Sequence, residues 1–215
     1  MPARVDDRVA LARDALTASL GLRDGCDCAV IELHIDGLRF GVEFRVDWGE
    51  HRRRQRLGLG AATNTGLLHA LWELPAGLAI PADCLDERNR TTLRELGDGY
   101  VEGTATFTRT FTPAGSISAV VVVADRMSGA LSRVGRLPPI FWRIAAARRQ
   151  PANVREAAML CARIGVGGVV VTPDGATEVA APKSPVRGVP AVYRWWLSEL
   201  AYRNWGSGNC AHCVS

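Results

Sequence analysis

Apolar residues return every three or four positions at the start of the chain, at Val5, Val9, Ala12, Leu16 and Leu20, and the spacing predicts a helix over 4–20 that Gly21 stops. From Ala29 the period changes to two. Asp36-Gly37 is a two-residue turn of the kind that needs positive φ, and it separates alternating runs from Ala29 to Ile35 and from Leu38 to Val46. Closing a hairpin there pairs Ile35 with Leu38, Leu33 with Phe40, Ile31 with Val42 and Ala29 with Phe44, so one face is wholly apolar. The other face carries Val30, Glu32 and His34 against Arg39, Gly41, Glu43 and Arg45, and is expected to be either solvated or a site.

Farther along, the basic run 51–56 and the Gly-containing stretch to Asn64 read as a loop. Leu67, Leu68, Leu71 and Leu74 predict a helix over 65–74, followed by a short strand at 78–80 and a charged helix over 86–96. Residues 100–111, rich in Thr and aromatics, read as a strand, and Pro113-Ala114-Gly115 turns the chain into the most apolar strand, 117–124. Pro138-Pro139 is read as the start of a short amphipathic helix to about Arg149. Asn153 caps a helix over 154–164, with Ala158, Cys161 and Ala162 as its packing residues and Gly165 as its stop. A strand over 166–171, the turn Pro173-Asp174-Gly175, a strand over 176–180 and a last helix over 191–203 complete the pattern. The expected fold is α/β, a mixed sheet flanked by helices with the hairpin at or near one edge. The expected organisation is a single domain over 1–205 and a Cys-containing tail over 206–215.

Composition narrows the partners only slightly. In 215 residues, 47% hydrophobic and 22% charged are ordinary globular values that exclude a wholly disordered chain. A net charge of +4 permits a nucleic-acid partner without requiring one. No signal-peptide pattern and no apolar run of membrane-spanning length is seen, and six cysteines are unremarkable for an intracellular chain. The expectation is a cytoplasmic protein with reduced thiols and no membrane partner.

The strand ending Val120-Val121-Val122-Val123-Ala124-Asp125-Arg126, the helix 154–164, and Ile164-Gly165-Val166-Gly167-Gly168-Val169-Val170-Val171 running into Asp174-Gly175-Ala176-Thr177-Glu178-Val179 together resemble the later half of the restriction-endonuclease-like, or PD-(D/E)XK, fold. The resemblance covers 117–203. It implies an acidic residue near a hairpin turn and a Glu-x-Lys on the next strand, binding Mg²⁺ and orienting water against a phosphodiester. Asp36 and then Glu43-Phe44-Arg45 are the local match. Arg45 stands where the family has Lys, and a guanidinium stays protonated, so it would stabilise phosphate charge rather than take a proton. The chain then reads as a Mg²⁺-dependent nuclease or as a degenerate relative that only binds.

Several constellations carry chemistry apart from that resemblance. Glu32 and Glu43 are diagonal neighbours on the hairpin, about 5–8 Å apart at Cβ. They suit Mg²⁺, or they pair with Arg39, Arg45 and His34 on a solvated face. Cys26, Cys28, Cys210 and Cys213 offer four thiolates for a tetrahedral Zn²⁺ joining the two ends of the chain, with His212 as a substitute ligand. Arg52, Arg53, Arg54 and Arg56 with Trp48 nearby form a candidate phosphate-binding patch for DNA or RNA. The helices at 65–74 and 86–96, with Arg88, Arg90 and Arg94, admit a winged-helix reading. A non-catalytic protein-interaction module, self-associating through the Trp195-Trp196 helix, is the remaining alternative.

Overall fold

The structure is a computed structural model that describes residues 5–21, 28–97, 99–186 and 191–206. Helix α1 (Val5–Leu20) ends at Gly21 in the left-handed conformation (φ 63°), as its spacing predicts. Strands β1 (Cys28–Ile35) and β2 (Leu38–Val46) pair antiparallel in the expected register, with Ala29 opposite Phe44, Ile31 opposite Val42 and Ile35 opposite Leu38. The run expected as a loop is instead helix α2 (Trp48–Leu57): Asp47 caps it by accepting the Glu50 N–H at 3.0 Å, and Gly58 closes it at φ 65°. Helix α3 (Thr65–Trp72), strand β3 (Ala79–Pro81), a single 3₁₀ turn at Ala82–Cys84 and helix α4 (Glu87–Arg94) follow, α3 capped by Asn64 and α4 by Asp86.

Residues expected as one strand over 100–111 form two, β4 (Val101–Glu102) and β5 (Thr106–Arg109), because Gly103 turns the chain at φ 89°. Strand β6 (Gly115–Ala124) leads into helix α5 (Met127–Val134). The expected helix before Arg149 is strand β7 (Trp142–Ala147). Helix α6 (Val154–Ile164), capped by Asn153 and stopped by Gly165, strands β8 (Gly167–Thr172) and β9 (Gly175–Ala180), and helix α7 (Ala191–Asn204) close the chain.

The described residues gather into two compact units, one within Met1–Arg45, Ile117–Val189 and Asn204–Ser215, the other within Val46–Ser116 and Pro190–Arg203. The first holds a mixed six-stranded sheet in the order β1-β2-β6-β7-β8-β9. Strands β6, β7 and β8 are parallel, connected through α5 and α6, and β8 and β9 are antiparallel. Helix α1 covers one face through Ala12, Ala15 and Leu16 against Val30, Ala119, Val121, Ile144, Ala146, Val169 and Val171, which follow the two-residue period of a sheet. On the opposite face Cys161 of α6 and Met127 of α5 lie over Gly168. Strand β7 thus lies between helices, and its Ala145, Ala146 and Ala147 are fully buried. Small apolar residues there allow both helical layers to approach, and burial on two faces overrides the helix propensity of an alanine run. On α6 the packing residues are Ala157 and Cys161; Ala162 is exposed.

The second unit holds a three-stranded antiparallel sheet in the order β3-β5-β4. Leu68, Leu71, Leu74, Leu93, Phe107 and Phe111 form its core, with Val192 and Trp195 of α7 inserted among them. Phe111 stacks with Tyr100 and with Trp195, with ring centroids 4.6 and 6.1 Å away. Cys84 is exposed.

Candidate functional site

The hairpin face that carries Glu43 is not a solvated surface at that end. Glu43 is 3% exposed, because α1 lies over this face of the sheet: a Cβ on Gly41 would stand 3.1 Å from the Ala12 Cβ. The Cys28 thiol donates to Glu43 Oε1 at 3.4 Å, and Arg45 Nη2 lies 3.7 Å from the same oxygen. Glu43 Oε2 has no hydrogen-bond partner among the described residues. Burial, the Glu43 charge and the hydrogen bond to Glu43 push the Cys28 thiol up to about 12, so it remains protonated at neutral pH.

Glu32, across from Gly41, lines a cavity of only about 20 Å³ with Arg8 and Arg39, room for one water. Asp36 is the turn residue (φ 48°), exposed, with its carbonyl accepting from Arg136 Nη2 at 3.2 Å. Among the described residues no group of three or more His, Cys, Asp or Glu is placed to hold a metal ion. Glu32, Asp36 and Glu43 do not come together into such a group, and no metal-dependent step is assigned to them. Of the zinc set, Cys26, Cys210 and Cys213, like His212, lie outside the described residues, and Cys28 is described with its thiol donating to Glu43.

The four arginines of α2 part company. Arg54 is fully buried, its Nη1 and Nη2 donating to Glu199 Oε2 at 2.7 Å and Oε1 at 2.8 Å and its Nε to Glu50 Oε1 at 2.9 Å. Nη2 also donates to the Thr112 carbonyl at 2.6 Å, and the guanidinium stacks 3.9 Å from the Phe111 centroid. Glu199 accepts further from the Ala62 N–H at 2.9 Å and Trp195 Nε1 at 3.1 Å. Burial acts to lower the Arg54 pKa, but the two carboxylates outweigh it and raise it. Arg53 is spent on Glu50 and the Gly99 carbonyl, whereas Arg52 and Arg56 are exposed. Trp48 is half-buried and meets His51 edge-on at 5.6 Å.

A different basic site emerges where β6 and β7 end. The two strands are parallel, so their carboxyl ends share one edge of the sheet, and the Arg148 and Arg149 N–H groups donate to the Ala124 and Asp125 carbonyls at 3.1 and 3.0 Å. This places Asp125-Arg126 beside Arg148-Arg149. They line a cleft of about 630 Å³ with Arg8 of α1, Arg133 of α5 and the first-turn residues Ser128 and Gly129. Asp125 is the acidic residue of this lining, and none of the five arginine side chains makes an ion pair or hydrogen bond with another described residue. Of the chain's 26 basic residues all but Lys183 are arginine, the side chain whose planar fork matches phosphate oxygens. The sequence signal was two strands each running into arginine, hidden because β7 reads as a helix.

Among the described residues no helix is long and apolar enough to cross a membrane. Compared with known proteins, the chain matches no family model, no curated protein and no solved structure.

Proposed function

We propose that this protein is a nucleic-acid-associated protein whose first unit grips the phosphodiester backbone in the arginine-lined cleft at the carboxyl ends of β6 and β7. The observation that carries this reading is the gathering of five guanidinium groups, without carboxylate partners among the described residues, around one cleft of about 630 Å³. Clustered like charges at an unpaired site repel one another, and a polyanion relieves that repulsion while releasing its counterions. Ligands in open α/β sheets commonly bind outside the carboxyl ends of parallel strands. The amino end of α5 adds partial positive charge there, and its cap residue Arg126 makes no side-chain capping bond. The reading is one of binding; no residue is assigned a role in cleavage.

The test is fluorescence anisotropy with labelled DNA and RNA oligonucleotides at low salt. Arg148→Ala/Arg149→Ala is expected to weaken binding about tenfold per arginine across sequences. Arg52→Ala/Arg56→Ala, on the exposed side of α2, is expected to leave affinity near wild type. The reverse pattern would move the interface to α2, and no binding by wild type at low salt would end the proposal.

A second reading is favoured by one observation in the other unit. Its sheet order β3-β5-β4, with α3 before β3 and α4 between β3 and β4, is similar to a winged helix. Helix α4 buries Leu93 and exposes Arg88, Thr91 and Arg94, as a groove-reading helix would. Arg88→Ala/Arg94→Ala reduces duplex binding on this reading and leaves it unchanged on the first.

A further inference from the structure

We infer that the first unit binds nucleic acid as a single strand, seating one unstacked base in an apolar groove that continues from the arginine cleft. This rests on the phosphate-binding reading above. The groove, about 450 Å³, shares Arg126, Ser128 and Arg149 with the cleft. Met127 and Leu131 of α5, Ala157 and Leu160 of α6 and Pro151 between β7 and α6 give it apolar walls. A ligand that spans both spaces must be anionic at one end and largely apolar at the other.

The polar groups of the groove decide which ligand that is. Glu156 lies in its lining and makes no ion pair among the described residues, so this end repels a second phosphate and receives a neutral group. The Asn153 Oδ1 accepts the Glu156 N–H at 3.1 Å, which leaves its amide N–H₂ to donate. The groove therefore offers a carboxylate acceptor and an amide donor on an apolar floor, complementary to the flat faces and hydrogen-bonding edge of a nucleobase. A lipid phosphate fits less well, because its acyl chain would meet the carboxylate. A base paired inside a duplex has neither face free and must be extruded at the cost of stacking and pairing, whereas a single strand presents it directly.

The experiment compares a labelled DNA single strand, the same strand annealed to its complement, and an abasic single strand of equal length, at fixed salt. Wild type is expected to bind the single strand about tenfold more tightly than the other two. Leu160→Ser is chosen because Leu160 is already 38% exposed, and circular dichroism checks its fold. It is expected to narrow that gap while duplex and abasic affinities hold. Equal affinity for all three ligands, still dependent on Arg148 and Arg149, overturns the base groove and leaves the phosphate cleft standing. Binding that ignores Arg148→Ala/Arg149→Ala overturns the cleft itself.

Discussion

At Arg54 a charge enters a protein interior only because every donor finds an acceptor. A guanidinium at 0% exposure is costly to desolvate, and the bidentate Glu199 pair, Glu50 and the Thr112 carbonyl offset that cost with directed bonds. Arg54→Ala leaves the buried Glu199 carboxylate without its cation, while Glu50 keeps Arg53, and chemical denaturation is expected to show a loss of about 3–5 kcal/mol. Arg54→Lys keeps the charge but not the fork and is expected to fall between the two. Cys28 supplies a pH prediction. Its thiol, held up to about 12 by burial and then by the charge and hydrogen bond of Glu43, stays protonated in the folded chain after the unfolded chain has begun to ionise near 9.0. Above that pH the folded state binds more protons, so this group's stabilisation is full below about pH 9 and is lost as pH rises towards 12. Thiol alkylation followed against pH is expected to show Cys28 protected to well above pH 9 and more reactive in Glu43→Gln, where the negative charge is gone.

Elements show how packing selects among local preferences. Strand β8 has Gly168 where α6 packs against it: a Cβ there would stand 2.7 Å from Cys161 Sγ. Gly168→Ala therefore forces the helix off the sheet and is expected to cost about 1–3 kcal/mol, read as a lower denaturation midpoint with an unchanged slope. Helix α2 makes the complementary point. Its residues show no broad apolar stripe, yet Asp47 at the cap, Glu50 three residues on and Gly58 beyond the end are local start and stop signals. The helix is anchored by a cation, Arg54, where most surface helices are anchored by an apolar stripe.

For the whole molecule, distribution of charge matters more than its sum. A net charge of +4 over 215 residues is a weak field, but five arginines around one cleft concentrate it. In the Arg148→Ala/Arg149→Ala comparison, the slope of log affinity against log salt is expected to become shallower by about one for each arginine that meets a phosphate. A loss of affinity with no change of slope would mean that the substitutions act on the fold rather than on phosphate.

Short-range patterns were legible without the fold. The hairpin register followed from alternation and Asp36-Gly37, and α6 from Asn153 at one end and Gly165 at the other, because turns and caps are settled by residues a few positions apart. Long-range contacts decided the rest. Glu43 reads as a surface carboxylate until α1 lies over it, Arg54 as a surface cation until Glu199 meets it from 145 residues away, and β7 as a helix until helices cover both its faces. The arginine cleft belongs to this second class. Only the parallel pairing of β6 with β7 brings Arg126 beside Arg148 and Arg149, since strand direction and neighbour are properties of the sheet and not of either strand's own residues.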